Sequence, residues 1–420
     1  MASMTWIDDG ELLLHPIAKM LCQDIENAGH SLVLVSKDKV SGSAIFGDDT
    51  NTKIMENYVI RRKKRLNVRF QKEKKKNNLL ARIDRRVIES INSIDKKITR
   101  FRAHKFVKIK SFLKGNIYVI TKLNLGEVII VSRAYLIPAL LIRLAKDLIQ
   151  RRKRFIIYYP FELYGHQKAK YSKTILFLEK IFLKKVPSLL ITQNELREEY
   201  YRRKGYKGKS LVVRNYKRKM TPVEVDYAPC KKFRIVLVGL VDYGRGIEFL
   251  LEWTIKEKRN LHFTVIGKAH KRWLNEHRKI IDDALKAEVL TFYDPVPDHQ
   301  LKSKIGDFDA GLIIYDETCK NHLFCAPSKL TDYLHAGLPV LASDLPAMRY
   351  YRDRFAFVKV FQNTADNSFE EAVRLLKAYR SRSQHQEIAR VTNVLCWENE
   401  SEKILHQIKI WLSANVKQGD

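Results

Sequence analysis

The sequence is poor in acidic residues, in cysteine and in long apolar runs. Its 420 residues include 47 Asp and Glu against 78 Lys and Arg, which gives a formal net charge of +31. So large an excess of one sign predicts an anionic partner: a nucleic acid, an acidic phospholipid surface or a phosphate-bearing substrate. Charge alone does not choose among these three.

The five cysteines are scattered and form no close-spaced metal-binding pattern. Their low number is typical of a reducing compartment, which predicts a cytoplasmic protein. No uninterrupted apolar run reaches the roughly 18 residues of a membrane-spanning helix, and the nearest candidate, residues 128–149, contains arginine, lysine and aspartate. The first residues turn acidic where a signal peptide would be basic and then apolar, so no secretory signal is predicted.

Short runs of β-branched and apolar residues alternate with longer amphipathic segments over most of the chain. The runs lack strict alternation, which is typical of strands covered on both faces by helices. This order predicts an α/β fold with parallel sheets. The predicted strands are residues 4–7, 31–36, 116–121, 127–132, 155–159, 189–192 and 211–214, and then 233–238, 262–266, 289–292, 310–315, 339–343 and 357–360.

The alternation restarts near residue 228, after a polar stretch with two prolines that is typical of a linker. We therefore predict two Rossmann-like domains, residues 1–225 and 226–396, that face each other across a ligand-binding cleft. A basic segment at about 61–114 interrupts the first domain. It is either a solvated insertion or a face that docks on anionic lipid. No helix-turn-helix, zinc-finger or RNA-binding signature supports nucleic-acid binding.

A glycine-rich turn follows the first predicted strand of the second domain. It contains Gly239, Gly244 and Gly246, and Arg245 lies between the last two. Glycines at a strand-to-helix turn let a ligand approach the backbone closely. Arg245 adds a permanent cation suited to phosphate. Alone, the pattern is equally consistent with a plain turn that carries a surface arginine.

A second group of residues lies in NHLFCAPSKLTDYLHAGLP. Ser328 is predicted at or near the amino-terminal cap of a helix that ends at Gly337. Such a helix offers N–H groups to a diphosphate. Lys329 adds positive charge in the first turn, where a purely structural helix favours an acid. Asp332, one turn further on, is suited to accept both hydroxyls of a ribose.

These motifs resemble the donor domain of GT-B-fold glycosyltransferases of the group-1, or family-4-like, type. GLVDYGRGIEFLLEW is similar to the first block of that family, FTVIGKAH to its next strand and glycine, and APSKLTDYLHAGLPVLASDLP to its diagnostic donor block. The first half resembles the family more patchily, in DIENAGHSLVLVS, IIYYPFELYG and LLITQNELREEY. CWENESEKILHQI resembles the terminal helix, which implies that residues 397–420 cross back to the first domain.

The resemblance implies an enzyme that moves a sugar from a nucleotide-diphosphate sugar to a glycan or lipid-linked acceptor, with retention and without a metal or cofactor. Its implied catalytic residues are Arg245 and Lys329, which would neutralise the diphosphate, and Glu162, near the acceptor or the transferred sugar. The implied donor-binding residues are Gly239, Gly244, Gly267, Asn321, His322, Ser328 and Asp332, and the acceptor-side residues are Asp8, Asp9, Arg133 and Tyr164.

The sequence departs from the family at three places. The first of two carboxylates eight positions apart is replaced by Phe324, so Asn321 or His322 would contact the sugar hydroxyls instead. The histidine that often precedes the strand-end glutamate is Phe161. The first glycine loop is reduced to Gly10.

Two other functions stay open from the sequence: a sugar-nucleotide epimerase of the same fold, and a non-catalytic basic protein that binds membrane or nucleic acid. The charge favours work at the inner face of a bacterial membrane, in the synthesis of capsule, lipopolysaccharide or exopolysaccharide. Asp307 and Asp309 resemble the metal-binding carboxylates of another transferase fold, but they lead into a buried strand and are predicted to be structural.

Overall fold

The computed structural model describes residues 3–7, 16–35, 53–55, 126–150, 152–163, 173–219, 232–257, 259–318, 320–362, 366–378 and 382–416. Strands and helices alternate in both halves of this part of the chain. Every strand pair in it is parallel. The predicted α/β class with parallel sheets is therefore confirmed.

Strands of the first half form a seven-stranded sheet in the order β3-β2-β1-β4-β5-β6-β7. They are β1 (Ser3–Ile7), β2 (Ser31–Val35), β3 (Lys53–Met55), β4 (Val128–Val131), β5 (Phe155–Tyr158), β6 (Leu189–Thr192) and β7 (Lys209–Val212). The order reverses between β1 and β4, which makes this a topological switch point. Strands β4, β5 and β6 are buried along their whole length because both faces of the sheet are covered.

The described helices of the first half are α1 (Pro16–Asn27), α2 (Ile137–Ile149), α3 (Lys173–Lys185) and α4 (Glu195–Arg203). Helix α1 buries Ile17, Leu21 and Ile25, which recur every four residues and so share one face. Helix α4 begins after Asn194, whose side chain accepts a hydrogen bond from the backbone N–H of Arg197 at 2.9 Å.

A six-stranded sheet follows in the second half, in the order β10-β9-β8-β11-β12-β13. Its strands are β8 (Phe233–Val241), β9 (Leu261–Ala269), β10 (Leu290–Tyr293), β11 (Ala310–Ile313), β12 (Val340–Ser343) and β13 (Val358–Phe361). Here the order reverses between β8 and β11. The crevice outside the carboxyl ends of these two strands is the expected ligand position for such a sheet.

The described helices of the second half are α5 (Ile247–Lys256), α6 (Lys271–Glu276), α7 (Arg278–Lys286), α8 (Asp298–Ile305), α9 (Lys320–Leu323), α10 (Lys329–His335), α11 (Pro346–Arg352), α12 (Asp366–Ala378), α13 (Arg382–Val394) and α14 (Trp397–Val416). Helix α14 buries Trp397, Ile404 and Ile408 in the apolar cluster of the first sheet. The indole N–H of Trp397 donates to Asp24 Oδ2 at 2.7 Å, so the last helix lies against α1.

The structure moves several predicted strand limits. Strand β7 covers Lys209–Val212 rather than residues 211–214. Strands β8 and β9 continue past their predicted ends, because Gly239 and Gly267 pair in register and keep the two strands side by side. The predicted strand at residues 116–121 and the basic segment at about 61–114 lie outside the described residues.

Candidate active site

Glycines shape the turn after β8. Gly239, Gly244 and Gly246 have φ angles of 104°, 78° and 71°, a region that residues with a Cβ rarely adopt. On the neighbouring strand, a Cβ at Gly267 would lie only 1.9 Å from the carbonyl oxygen of Gly239. Strands β8 and β9 therefore approach each other closely here, and the turn places Arg245 at the carboxyl edge of the sheet, directly before α5.

Strands β8 and β11 separate at the switch point, and the buried side chain of Tyr333 fills the gap. Its hydroxyl donates to the Leu312 carbonyl at 3.0 Å and accepts from the Val238 N–H at 3.0 Å. Gly311 leaves room for the ring, since a Cβ there would lie 2.2 Å from it. These bonds fix α10 across the crevice.

Helix α10 begins at Lys329, and Ser328 occupies the cap position as predicted. The Ser328 side chain makes no capping hydrogen bond. Its carbonyl instead accepts from Thr331 Oγ1 at 2.9 Å. The helix has seven residues, so its dipole is small. Most of the positive charge that α10 offers to an anion therefore comes from the Lys329 ammonium.

Two cations lie together at this edge. A Cβ at Gly239 would lie 3.3 Å from Lys329 Nζ, and the guanidinium carbon of Arg245 lies 4.2 Å from the ring centroid of Tyr315. Burial, together with the charge of Arg245, lowers the pKa of Lys329 to about 7. Neither cation forms an ion pair with a carboxylate in the described part of the chain. A bound anion would relieve their mutual repulsion.

Asp332 contacts the segment that joins the two sheets. Its Oδ1 lies 3.5 Å from Lys217 Nζ, and the same ammonium lies 3.1 Å from Asp298 Oδ2. Lys217 is fixed through its backbone, because its N–H donates to Thr331 Oγ1 at 3.1 Å and its carbonyl accepts from the Trp397 N–H at 2.9 Å. Burial raises the pKa of Asp332 to about 6, and Lys217 opposes this shift. Lys217 thus favours the ionised carboxylate.

A histidine–aspartate pair lies beside the glycine turn. His322 Nδ1 is 2.6 Å from Asp316 Oδ1, and the Thr318 hydroxyl donates to the same oxygen at 2.7 Å. The ring centroids of His322 and Tyr315 are 5.2 Å apart. The Asp316 N–H donates to the Gly244 carbonyl at 2.9 Å, which ties the pair to the turn.

Hydrogen bonds fasten the loop before α10 to the first half of the chain. Asn321 Oδ1 accepts from the Leu163 N–H at 2.8 Å. The next carbonyls accept from polar side chains of the first half: Phe324 from Asn194 at 3.2 Å and Arg197 at 2.8 Å, Cys325 from Asn194 at 3.1 Å, and Ala326 from Asn215 at 2.9 Å. Buried Arg197 also donates to the Phe161 carbonyl at 2.7 Å. The donor loop and the segment after β5 are therefore held against each other.

The phenylalanine that replaces a carboxylate has a structural explanation. Phe324 packs against an apolar cluster of the first sheet that includes Val131, Ile156 and Leu163. A carboxylate at this position would lose its water without gaining a partner among these side chains, which is costly.

The structure brings most of the predicted site residues to the carboxyl edges of the two sheets. Glu162 follows β5 and lies near Tyr315. Burial and the charge of Glu162 raise the pKa of the Tyr315 hydroxyl, and the charge of Arg245 opposes this shift. Arg133 is half-buried and follows β4 at the carboxyl edge of the first sheet. Three predicted acceptor-side residues lie outside the described residues: Asp8, Asp9 and Tyr164.

Asp309 is buried, and its Oδ2 accepts from the Arg234 N–H at 2.7 Å. This bond holds the start of β8 against β11 and fits the structural role predicted for Asp309. Asp307 is exposed.

Sequence reasoning missed Asp316, Lys217 and Arg197. Asp316 had a usable signal, because it closely follows a buried strand and side chains gather at that edge of a parallel sheet. Lys217 lay in a polar linker among other lysines. Arg197 lies among the many charged residues of α4, so neither residue stood out.

In the described part of the chain, no group of three or more His, Cys, Asp or Glu side chains could hold a metal ion. None of the helices there combines the length and the apolar character needed to cross a membrane.

The chain folds into two parallel α/β sheets. Their halves meet through the loop before α10, and the last helix returns to the first sheet. This is the GT-B fold, as predicted. No protein-family model matches the sequence, and no curated protein matches it. Solved structures match over almost its whole length. HepE of Anabaena, in complex with UDP and glucose, has a TM-score of 0.55 and 11% identity over 97% of this chain and 100% of that chain.

Two further structures are similar to the chain. The lipopolysaccharide outer core galactosyltransferase WaaB has a TM-score of 0.61 and 12% identity over 96% of this chain and 99% of that chain. A mutant of S. aureus TarM in complex with UDP and alpha-GlcNAc-glycerol has a TM-score of 0.59 and 10% identity over 98% and 99%. At these identities the likeness shows the fold alone.

Proposed function

We propose that this chain is a glycosyltransferase that moves a sugar from a nucleotide-diphosphate sugar to a glycan or lipid-linked acceptor. The observation that carries the proposal is the pair Lys329 and Arg245, two cations held together at the switch point without an ion-pair partner in the described residues. A diphosphate supplies the missing negative charge. Stabilising that charge as it leaves the sugar is the main electrostatic task of the reaction.

The other site residues have roles consistent with this chemistry. Gly239, Gly244 and Gly267 let the phosphates approach the backbone, and Ser328 and the amides after it bind phosphate oxygens. Asp332, kept ionised by Lys217, accepts the ribose hydroxyls. Glu162 acts near the acceptor or the transferred sugar.

We assign acceptor binding to residues 1–225, donor binding to 226–396 and the return to the first domain to 397–420. Asn321 bonds to Leu163 through both its oxygen and its nitrogen, at 2.8 and 3.4 Å, and so helps to close the cleft. A closed cleft keeps water from the reacting carbon.

The test is nucleotide-sugar binding to the wild-type chain and to a Lys329→Ala/Arg245→Ala double variant. A thermal-shift screen of nucleotide sugars identifies the donor, because ligand that binds only the folded state raises the melting temperature. Calorimetry with UDP, the nucleotide bound in the similar HepE and TarM structures, then measures affinity. Two charge-assisted contacts are lost in the double variant, so its affinity should fall by about 100-fold or more.

The matched control is Arg374→Ala/Lys377→Ala on α12, which removes the same two charges elsewhere. Arg374 pairs with Glu371, and Lys377 lies over the ring of Phe233 at the amino end of β8, away from the site. Unchanged UDP affinity in the Lys329→Ala/Arg245→Ala variant would contradict the proposed glycosyltransferase function. Formation of an epimer without acceptor would favour the epimerase. Tight salt-sensitive RNA binding without nucleotide-sugar binding would favour the non-catalytic protein.

We further propose that transfer needs no metal, because two cations already oppose the charge of the leaving group. We also propose retention of the anomeric configuration, which rests on the resemblance of the donor motifs to the group-1 family. Proton NMR of the first product anomer checks the stereochemistry. Activity in excess EDTA checks the metal requirement, and an inverted anomer or EDTA inhibition that Mg²⁺ reverses would contradict these points.

The net charge of +31 supports work on an anionic surface. We place the protein at the inner face of a bacterial cytoplasmic membrane, in surface polysaccharide synthesis. It should sediment with phosphatidylglycerol vesicles at low salt and be released at high salt. Failure to sediment with them, or equal binding to phosphatidylcholine vesicles, would contradict this location.

A further inference from the structure

Tyr315 follows β11 at the carboxyl edge of the second sheet, on the side of the sheet that α10 covers. Side chains alternate beyond the end of the strand. Ile313 and Tyr315 pack in the apolar cluster that contains Leu330 of α10, whereas Ile314 packs in the other cluster of this sheet. The Tyr315 N–H donates to Ser343 Oγ at the end of β12, at 3.0 Å. The backbone of Tyr315 is therefore fixed, and its ring lies on the same side of the sheet as α10.

The ring of Tyr315 lies under the guanidinium of Arg245. The guanidinium carbon is 4.2 Å from the ring centroid, which is within the range of a cation–π contact. The neighbouring backbone is fastened as well, because the Asp316 N–H donates to the Gly244 carbonyl at 2.9 Å. Tyr315 and Arg245 are thus held together twice, once by their own side chains and once by the residues beside them.

Arg245 needs such support because of its place in the turn. It lies between Gly244 and Gly246, whose φ angles of 78° and 71° belong to a conformation that restrains glycine little. A second cation is close by, since burial, and next the charge of Arg245, lower the pKa of Lys329 to about 7. The two cations repel each other. Without an attractive partner, the guanidinium would therefore turn away from Lys329 into water.

An aromatic ring suits this task better than a carboxylate does. A carboxylate would hold the guanidinium but would also neutralise the charge that a diphosphate requires. A phenol ring attracts the cation through its quadrupole and has no net charge. Burial raises the pKa of the Tyr315 hydroxyl, so the ring stays a neutral phenol. Arg245 is thus held in place and keeps its full positive charge.

We propose that Tyr315 is a positioning residue, whose ring holds Arg245 beside Lys329 where the diphosphate of the donor binds. This inference rests on the proposed function. Tyr315 acts on the diphosphate through Arg245. Because the contact exists before the donor arrives, binding does not have to include the cost of ordering the arginine side chain.

The experiment changes the electron density of the ring while keeping its shape. Tyr315 is replaced by phenylalanine, by a difluorinated phenylalanine and by a trifluorinated phenylalanine, and the affinity for UDP is measured by calorimetry. Fluorine withdraws electron density from the face of the ring and so weakens its attraction for a cation. We expect Tyr315→Phe to keep the UDP affinity within about threefold, and the affinity to fall by about fivefold more along the fluorinated series. The melting temperature of the UDP-free protein checks that each form is folded.

A double-mutant cycle tests whether Tyr315 acts through Arg245. Methionine fills most of the space of the ring but offers no aromatic face, so Tyr315→Met should lower the UDP affinity by about tenfold. In the Arg245→Ala background the same substitution should cause no further loss, because the two residues act as a unit. The control is Tyr350→Met on α11, which removes a ring that lies 3.8 Å from the guanidinium carbon of Arg354. It should keep the UDP affinity.

Two results would overturn the inference. One is equal UDP affinity along the whole fluorinated series. The other is a loss in Tyr315→Met that persists in full in the Arg245→Ala background, because the ring would then act by packing alone. If Tyr315→Met does not fold, the fluorinated series decides the question. Absence of UDP binding in the wild type counts against the proposed function instead.

Discussion

The two sheets share one topology but use their carboxyl edges differently. At the edge of the second sheet, Lys329 and Arg245 lie together without ion-pair partners in the described residues. At the edge of the first sheet, the described residues after β5 are mostly buried. The Leu163 N–H donates to Asn321 in the loop before α10, and the Phe161 carbonyl accepts from Arg197, which also donates to Phe324 in that loop. The same architecture thus leaves two cations without ion-pair partners at one edge of the described structure and supports contact between the halves at the other, so side chains rather than the fold determine function.

Arg197 and Lys329 differ in whether their charge has partners within the protein. Arg197 is buried and donates to Phe161, Gln193 and Phe324, so its charge is fully solvated by protein oxygens. Lys329 is crowded by a second cation, which helps to lower its pKa. A satisfied cation stabilises the fold, whereas an unsatisfied one indicates a missing anion.

The largest expected effect comes from Gly267→Ala in β9. Its Cβ would lie 1.9 Å from the Gly239 carbonyl oxygen, so β8 and β9 must separate and the turn that carries Arg245 must shift. We expect loss of UDP binding and destabilisation by about 3 kcal/mol or more, as for severe overpacking. Calorimetry and thermal unfolding measure the two effects.

Gly29→Ala at the end of α1 is the matched control from the first sheet. Its φ is 77° but nothing lies within 4 Å of the added Cβ, so it should cost only about 1 kcal/mol of left-handed strain and leave UDP binding intact. Equal effects of the two substitutions would mean that backbone strain, not the contact between β8 and β9, dominates at Gly267.

Sequence reasoning reached the fold, and it placed the residues predicted for the donor site at the carboxyl edge of the second sheet, for physical reasons. Apolar runs without alternation define strands of parallel sheets, and glycines with a cation at a strand end define a phosphate turn. It did not reach Arg197 or Lys217, because a charged side chain in a linker or helix gives no sign of its tertiary partners. It also gave no reason for Phe324, which is explained only by the cluster it packs against in the other sheet.

The next effect concerns the contact between the sheets. Arg197→Met keeps the bulk of the side chain but leaves the carbonyls of Phe161 and Phe324 without this donor in buried surroundings. We expect destabilisation by about 3 kcal/mol, read as a lower melting temperature. The rate of sugar transfer should fall more than the UDP affinity. The second half stays intact, but the hydrogen bond from Arg197 to Phe324 that joins the two halves is lost.

The control on the same helix is Arg203→Met. Arg203 is 78% exposed and pairs only with Glu199 in the described contacts, so a change within about 0.5 kcal/mol is expected. If Arg197→Met lowered UDP affinity as strongly as transfer, docking and binding would not be separate uses of the two edges.

A smaller effect is expected at Lys217, which connects the two edges. Without its ammonium, Asp332 keeps the burial that raises its pKa but loses the cation that opposes it. In Lys217→Met, Asp332 should be largely protonated at pH 7 and a weaker acceptor for ribose. UDP affinity should fall by about tenfold, and the preference for UDP over 2′-deoxy-UDP should shrink. The control is Lys219→Met, at an exposed lysine of the same segment. It should keep the UDP affinity and the preference for UDP over 2′-deoxy-UDP. If Lys217→Met kept the wild-type preference for UDP over 2′-deoxy-UDP, Asp332 would not be the group that binds the ribose.

The last effect is a change of affinity with pH rather than with sequence, and it is confined to the second edge. Lys329 has a pKa of about 7 without ligand, and a bound diphosphate must raise it. Affinity for UDP-glucose is therefore highest between about pH 6 and pH 7. It falls by up to tenfold per pH unit above pH 7, until the pKa of Lys329 in the complex is reached. Below about pH 6, protonation of Asp332 weakens ribose binding. UDP-glucose is preferred to UDP as the probe, because its diphosphate has no group that titrates in this range.

Calorimetry at pH 8 in two buffers of different ionisation enthalpy should show uptake of close to one proton per UDP-glucose bound. Lys329→Arg keeps the charge at every pH used, so it should bind without this uptake and without the decline above pH 7. Lys329→Met should lose both the affinity and the uptake. Arg197→Met should show the wild-type pH profile, because Arg197 donates to Phe161, Gln193 and Phe324 and leaves the surroundings of Lys329 unchanged. If the affinity of Lys329→Arg for UDP-glucose still fell above pH 7, another group would be titrating, and Lys329 would be charged throughout this range.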